Sequence, residues 1–194
     1  MAKISTKNKI LEHAGRIIRM KGFNNTGIQE ILDSAGVPKG SFYFYFKSKE
    51  ELGLALIDYL AQSISELGES LLIDGQGTPM EKLRRYFVAM RLLFENDGWK
   101  AGCPIGNLAQ EMGPLNEGFR RKLQAVFRMM ESGIRDCLVE AKAMNELDSE
   151  LDADETAAFL LDSWEGAILR MKAEGNSQSL ILFEKMVFDK VLRR

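Results

Sequence analysis

Apolar residues recur at helical spacing along the chain, and no segment shows a convincing strand pattern. The first apolar stripe has members at i, i+1, i+4, i+7 and i+8, which fall on one face of a helix. Its members are Ile10, Leu11, Ala14, Ile17 and Ile18. We expect Gly22 to end this helix and Phe23 to pack beneath the turn that follows.

A second helix is predicted from Gly27 to Ala35. Thr26 and Gln29 have the spacing of a capping box, in which two side chains bond the free backbone N–H groups at a helix start. Gly36 is expected to close this helix.

A third, short helix is predicted from about Lys39 to Phe46. Pro38 stands where a helix can begin, because its missing N–H would have no partner there in any case. Two short helices joined by a turn containing glycine, packed on a longer first helix, form a helix-turn-helix.

The two faces of the third helix carry the most specific signal. If Phe42 and Phe46 face the core at i and i+4, the step of 100° per residue turns the other side chains outward. The outward residues are Gly40, Tyr43, Phe44 and Lys47. A small three-helix module has no second core, so exposed aromatics among lysines fit a DNA surface, where apolar groups meet thymine methyls and lysines displace counterions. The alternative is that these aromatics pack on the neighbouring domain or a partner subunit.

Positive charge is concentrated in the first quarter of the chain, as DNA binding by that part would require. Residues 1–50 hold 9 Lys and Arg against 4 Asp and Glu, a balance of +5, and the other 144 hold 17 against 24, a balance of −7. A basic first quarter on an acidic body is typical of a protein that meets a polyanion at one end. Chance clustering on a solvated helix is the alternative.

The helical pattern continues beyond residue 50. Helices are predicted over about 49–72, 79–95, 115–145 as one or two helices, 151–174 and 176–192, with a bend into a short helix within 99–112. The predicted fold is all-α with about nine helices: a helix-turn-helix domain over 1–48 and a helical bundle over 49–194. No apolar run reaches the roughly 18 to 20 residues of a membrane-spanning helix, so we expect a cytoplasmic protein without a membrane partner.

The available side chains disfavour enzyme chemistry. Cys103 and Cys137 lie far apart and His13 is the single histidine, so no Cys/His zinc site can be built and neither thiol has a histidine base close in sequence. Phosphate-loop, dinucleotide-binding and nucleophile-elbow motifs are absent. We expect no metal and no cofactor. A helical enzyme that also carries a helix-turn-helix would need a catalytic base other than histidine.

The segment GVPKGSFYFYFKSKEEL, residues 36–52, resembles the recognition-helix signature of the TetR family of bacterial transcriptional regulators, and residues 26–31 resemble the start of that family's second helix. The resemblance implies an all-helical homodimer with an N-terminal DNA-binding module and a C-terminal body for ligand binding and dimerisation. It also implies which residues contact a double-stranded DNA operator. These are Thr26, Gln29, Lys39, Gly40, Ser41, Tyr43, Phe44, Tyr45 and, as a phosphate contact, Lys49. Tryptophan or histidine is commoner in the family where Phe44 and Tyr45 stand, so the operator sequence is not implied.

The family resemblance further implies a mechanism. Its last long helices pair across a two-fold axis, so we expect the last long helices of this chain to form the dimer interface. A small-molecule effector can bind one conformation of the body more tightly than the conformation that binds DNA. It would then weaken DNA binding by an amount set by the difference between these two affinities. Repression is the usual outcome in the family, and activation is the alternative.

Candidates for the effector site come from the methionines, aromatics and thiol of the body, because methionine is adaptable and aromatics line most small-molecule sites. They are Met90, Phe94, Trp99, Cys103, Met112, Phe127 and Trp164. Ordinary core packing is the alternative for each of them.

Two further hypotheses concern other functions. The stretch around Cys103 is similar to a Gly-Cys entry into the sixth helix in one TetR branch, some of whose members sense electrophiles or oxidants through that thiol. A helix N-terminus favours the thiolate, so redox sensing through Cys103 is an alternative. A dimeric helical adaptor that binds protein in place of DNA is another.

Overall fold

The computed structural model describes residues 5–193, and this range contains nine α-helices and no strand. The helices are α1 (Thr6–Lys21), α2 (Ile28–Ala35), α3 (Lys39–Tyr45), α4 (Lys49–Gly68), α5 (Pro79–Asn96), α6 (Pro104–Met112), α7 (Glu117–Ala143), α8 (Ala153–Glu174) and α9 (Gln178–Met186). Two short π-helical segments, Glu69–Ile73 and Val187–Val191, continue α4 and α9. The predicted all-α fold with an N-terminal helix-turn-helix is confirmed.

Side-chain caps fix the starts of several helices. The Ser5 hydroxyl accepts the Asn8 N–H at the start of α1, and the Asp152 carboxylate accepts two N–H groups at the start of α8. Thr78 and Glu81 form a reciprocal capping box ahead of α5. The helical pattern predicts a helix over about 79–95 but does not indicate this box.

The capping box predicted at Thr26 and Gln29 is wrong. Gly27 is the N-cap of α2 and makes no side-chain bond. The Thr26 hydroxyl instead donates to the Gly22 carbonyl at 2.6 Å, and the Gln29 amide donates to the Asp33 carboxylate at 2.7 Å. A threonine hydroxyl can bond back to a carbonyl four residues earlier, and here that contact takes the place of the cap.

The fourth helix differs from the prediction at its end. The α-helical hydrogen bonding stops at Gly68, and the chain continues to Ile73 with π-helical spacing, so that the Asp74 N–H reaches the Glu69 carbonyl at 2.9 Å. The predicted segment over 115–145 is a single helix, α7.

The described chain divides into two compact units. The first contains residues 5–63 with 103–126, and the second contains residues 64–102 with 127–193. These units are defined by which residues pack together, and their limits do not coincide with the boundary predicted after residue 48. That boundary separates a DNA-binding domain from a ligand-binding domain, and it stays a prediction. Among residues 5–193, no helix is both long and apolar enough to cross a membrane.

The core of the first unit holds the helix-turn-helix together. Its fully buried side chains include Ile10, Ile31 and Phe42. Gly53 of α4 faces two phenyl rings at very short range: a Cβ there would lie 2.5 Å from Phe119 and 2.7 Å from Phe23. These two rings meet edge to face with centroids 5.4 Å apart.

The second unit has an aromatic core. The Phe87 ring lies 5.0 Å from Trp164 and 4.9 Å from Phe183, and the last two rings are 5.0 Å apart. The Phe94 ring lies next to the same cluster, 6.5 Å from Trp164. Arg91 of α5 and Glu184 of α9 form a half-buried ion pair at 2.7 Å in this unit.

Candidate nucleic-acid interface

The turn between α2 and α3 is built by one glycine and one proline. Gly36 adopts the left-handed conformation, with φ 60°, and its N–H bonds the carbonyls of Leu32 and Asp33. Pro38 is extended and caps α3, as the sequence predicted for the start of that helix. The third helix ends one residue earlier than predicted, with the Phe46 N–H on the Phe42 carbonyl at 2.9 Å.

The faces of α3 are those predicted from its spacing. Phe42 and Phe46 are 0% and 1% exposed, whereas Tyr43 and Phe44 are 55% and 81% exposed. The alternative that these aromatics pack on the neighbouring domain is therefore wrong within this chain. A phenylalanine four-fifths exposed is costly to leave in water and marks an interaction surface.

Ring contacts hold the exposed aromatics in place. The Tyr43 ring meets Phe42 edge to face at 5.2 Å, and the Phe44 ring meets Tyr45 in the same way at 4.9 Å. Such pairs reduce the entropy that a side chain loses when a partner binds.

Exposed cations and a small residue flank the exposed aromatics along the chain. Lys39 and Lys47 are exposed, as is Gly40, beside which a Cβ would meet no atom within 4 Å. The Lys7 ammonium of α1 lies 5.9 Å from the Phe46 ring centroid. We define the recognition surface as Lys39, Gly40, Tyr43, Phe44 and Lys47. It combines apolar rings with positive charge, which is the chemistry of a duplex groove and its phosphates.

The remaining predicted DNA contacts differ in how far their side chains are exposed. Gln29 is exposed, although Asp33 holds its amide, and Ser41 and Tyr45 are half-buried. Thr26 is only 1% exposed and its hydroxyl is bonded to Gly22. Its side chain therefore has no free face for DNA, and we withdraw it from the predicted contacts.

Lys49 is half-buried and held within the first unit. Its ammonium donates to the Asn24 carbonyl at 3.2 Å and lies 4.7 Å from the centre of the Phe23 ring. Burial lowers the pKa of Lys49 and the nearby Glu111 carboxylate partly offsets this. A phosphate contact by Lys49 would compete with these partners.

Glu111, which no sequence pattern singles out, fixes the turn between α1 and α2. Its carboxylate accepts the Phe23 N–H at 2.9 Å and the Asn24 N–H at 2.8 Å. Gly22 has φ 88°, and a Cβ on it would lie 2.6 Å from a Glu111 oxygen. A carboxylate of α6 thus holds the backbone that leads into the helix-turn-helix.

The predicted effector residues are not brought together. Cys103 and Met112 belong to the first unit and the other five belong to the second. Phe94 and Trp164 are 3% and 2% exposed and pack in the aromatic core, and a ligand contact by either stays a prediction. None of the seven lines any of the three cavities found in the second unit.

The largest of these cavities lies wholly in the second unit and has a volume of about 530 Å³. Its walls are the end of α4 with the π-helical segment, the start of α5 and the middle of α7. Leu72, Tyr86, Met129, Met130 and Cys137 give it an apolar lining. This volume falls within the range of small-molecule sites, about 300 to 1,000 Å³.

The two thiols have different surroundings. Cys103 is the N-cap of α6, where its sulfur accepts the Gly106 N–H at 3.4 Å, and it is 7% exposed. The predicted position at a helix N-terminus is therefore confirmed, whereas reactivity stays a prediction. The Cys137 thiol donates to the Pro79 carbonyl at 3.0 Å, and burial raises its pKa to about 11.

An apolar surface lies on α8 and α9. Phe159, Leu169, Ile181, Leu182 and Met186 are each about half exposed, although they are large and apolar. Several of them border a shallow groove on the small residues Ser163, Gly166 and Ala167 of α8. A contiguous apolar patch of this kind marks an association surface.

Comparison with known proteins places this geometry in a family. A model described as bacterial regulatory proteins, tetR family, matches residues 10–56, and one described as tetracyclin repressor-like, C-terminal domain, matches residues 79–187. The transcriptional repressor DhaR of Mycobacterium sp. is 33% identical over 192 residues, which cover 99% of this chain and 95% of DhaR. The transcriptional regulator AcuR of Cereibacter sphaeroides is 38% identical over 164 residues, which cover 84% of this chain and 73% of AcuR. A crystal structure of regulatory protein TetR from Rhodobacter sphaeroides has a TM-score of 0.88 and 35% identity, and the match covers 93% of this chain and 95% of that one.

The helix-turn-helix with its aromatic and cationic surface defines a DNA-binding regulator. The chain belongs to the TetR family of bacterial transcriptional regulators. Regulators of this family bind DNA operators and small-molecule effectors and act as dimers. The predicted function, ligand-responsive regulation of transcription through DNA binding, is confirmed at this level.

Proposed function

We propose that the protein is a cytoplasmic homodimeric repressor that leaves its operator when an organic molecule occupies the 530 Å³ cavity. The observation that carries DNA binding is the exposure of Tyr43 and Phe44, 55% and 81%, between Lys39 and Lys47. Gln29, Ser41 and Tyr45 stay proposed contacts at the edge of the recognition surface. For Lys49, whose ammonium donates to the Asn24 carbonyl, we propose a supporting role in place of the phosphate contact.

The proposed dimer interface is the apolar surface on α8 and α9. Two recognition helices of a dimer can enter successive major grooves when their centres lie about 34 to 36 Å apart, so DNA affinity depends on the dimer. The small residues Gly166 and Ala167 let a second pair of helices approach closely.

The proposed route of release runs along α4. This helix begins at Lys49, directly after the recognition surface, and its continuation Glu69–Ile73 lines the cavity. A ligand that fits one arrangement of this segment better than another shifts the population by its difference in affinity. Helix α4 is one covalent element with one end in each unit.

The test is operator binding followed by release. DNA fragments selected from a random pool by the full-length protein should contain two half-sites about one helical turn apart, and binding should weaken steeply as salt rises. A dimeric adaptor or an enzyme would show no selected sequence and no steep salt dependence. Failure to enrich any palindromic site would refute the proposal.

A second candidate is thiol-based control through Cys103. The N-cap position and the bonded Gly106 N–H favour its thiolate. DNA release by a thiol-reactive compound should then be lost in Cys103→Ser. An equal response of both proteins would exclude this candidate and leave ligand-controlled release in place.

A further inference from the structure

The walls of the 530 Å³ cavity carry an imbalance of charge. Three carboxylates, Glu69, Asp136 and Glu140, and one ammonium, Lys82, line it together with apolar side chains. All three carboxylates are exposed to solvent, and such an imbalance favours a ligand that brings a positive charge to this side of the cavity.

The single cation at the cavity is already engaged. The Lys82 ammonium donates to the Ile73 carbonyl at 3.1 Å. That bond ties the start of α5 to the end of the π-helical segment and leaves Lys82 less able to receive an anion.

Two of the three carboxylates form no ion pair with any residue that the structure describes. Asp136 is bonded to Arg135 at 2.6 Å. Within residues 5–193, the Glu69 carboxylate accepts only the Ser65 hydroxyl, at 3.1 Å, and Glu140 forms no ion pair. Burial is the main cause of the raised pKa of the Cys137 thiol at the cavity wall, and the Glu140 carboxylate raises this pKa by more than Lys82 lowers it.

We infer that the cavity selects an effector with an apolar body and one positive charge, such as a lipophilic amine or a quaternary cation. The apolar body packs on Leu72, Tyr86 and the methionines of α7, and the charge is stabilised by Glu69 and Glu140. This inference rests on the proposed function only in taking the cavity as the effector site. Methionine sulfur and an aromatic ring are suitable neighbours for such a cation.

The test uses two probes that match in size and shape and differ in the sign of charge, tetraphenylphosphonium and tetraphenylborate. Their dissociation constants for the full-length protein are measured by calorimetry at physiological salt. We expect the phosphonium to bind at least tenfold more tightly than the borate. Each carboxylate near the surface contributes about two- to fivefold in affinity.

Carboxylate variants test which residues cause the preference for the phosphonium. Glu69→Gln combined with Glu140→Gln should bring the two dissociation constants to within about threefold of each other. The matched control, Asp148→Asn combined with Glu150→Gln, removes the same net charge at exposed positions outside the cavity and should leave the tenfold preference intact.

A third variant fills the cavity without changing its charge. Gly133 lines it, and a Cβ there would sit 3.7 Å from Leu72, at ordinary contact distance. Gly133→Leu should weaken phosphonium binding more than tenfold. If that variant does not fold by circular dichroism, the carboxylate variants still decide the inference, because they leave the packing unchanged.

The outcomes separate this inference from the proposed function. Borate binding as tight as phosphonium binding, or a preference that survives the Glu69 and Glu140 changes, overturns the inference. Operator selection is measured on the same protein in the absence of both probes. If no operator is selected, the proposed function fails, whatever the two probes show.

Discussion

The Glu111 carboxylate accepts the backbone N–H of Phe23 at 2.9 Å, across 88 residues of sequence. It accepts the N–H of Asn24 as well, so one side chain of α6 satisfies two neighbouring backbone groups at the entry to the helix-turn-helix. Hydrogen bonds to a charged acceptor contribute about 1.5 to 3 kcal/mol each, more than a neutral pair.

Replacing Glu111 should therefore loosen the DNA-binding module. We expect Glu111→Ala to lower the free energy of unfolding by about 2 to 3 kcal/mol, because two N–H groups lose their acceptor. Glu111→Gln should be intermediate, since its amide keeps one acceptor oxygen. Urea unfolding measures the change, and Glu95→Ala, an exposed carboxylate at the end of α5, should cost less than 0.5 kcal/mol by the same method. Equal stability of the Glu111 and Glu95 variants would contradict this role.

Tyr43 should be essential for operator binding. Tyr43→Ala removes an aromatic ring that is more than half exposed at the centre of the recognition surface, and it leaves the buried Phe42 and Phe46 in place. We expect operator binding to be lost in a gel shift while the dimer elutes unchanged from a sizing column. A shift equal to wild type would remove α3 from the interface.

The Phe44 ring should read a thymine methyl. It can neither donate nor accept a hydrogen bond, so the apolar group that it can recognise in the major groove is the thymine C5-methyl. Replacing each operator thymine in turn by deoxyuridine should identify one position that costs about 1 kcal/mol, roughly fivefold in affinity. In Phe44→Ala the same deoxyuridine should carry no penalty. If instead the losses from Phe44→Ala and from deoxyuridine add up when the two changes are combined, the ring does not contact that methyl.

A salt titration should distinguish two roles for Lys49. A lysine on a phosphate adds about 0.9 to the slope of log affinity against log salt, whereas a lysine that only supports the fold adds nothing. Because the Lys49 ammonium is bonded to the Asn24 carbonyl, we expect Lys49→Ala to lower affinity with little change of slope. Lys47→Ala, at an exposed position, should reduce the slope by about one. A slope change of one for both would return Lys49 to the phosphate contacts.

The Cys137 thiol should be almost inert at neutral pH. Its pKa is raised from 9.0 to about 11 by burial, so its thiolate fraction at pH 8 is about 100-fold smaller than that of an ordinary thiol. In Cys103→Ser, alkylation by iodoacetamide followed by mass spectrometry should proceed about tenfold faster per pH unit between 8 and 10. The same protein in urea should react at once. Fast alkylation of the native thiol at pH 7 would contradict the raised pKa.

The sequence predicts features that depend on residues close along the chain. The burial of Phe42 and the exposure of Phe44 follow from positions within one short helix, where the helical step fixes the faces. The Thr26 cap failed for a local reason as well: the Gly22 carbonyl competes for the same hydroxyl, and composition does not decide between them.

Other features depend on packing between distant segments. The partners of Glu111 lie 87 and 88 residues away, and nothing in its neighbouring sequence marks it. The lining of the largest described cavity could not be read from the sequence, because large apolar side chains such as Trp164 fill space, while a cavity forms where side chains fail to fill it. The cavity depends on how α4, α5 and α7 pack against one another.

Position 53 shows how little freedom tight packing leaves. By helix propensity alone, alanine in place of Gly53 would stabilise α4 by about 1 kcal/mol. The two rings that meet the missing methyl at 2.5 and 2.7 Å reverse that preference, since one of them would have to move. A survey of all single substitutions would therefore find this site intolerant even of the smallest side chain, although helix propensity alone favours that side chain.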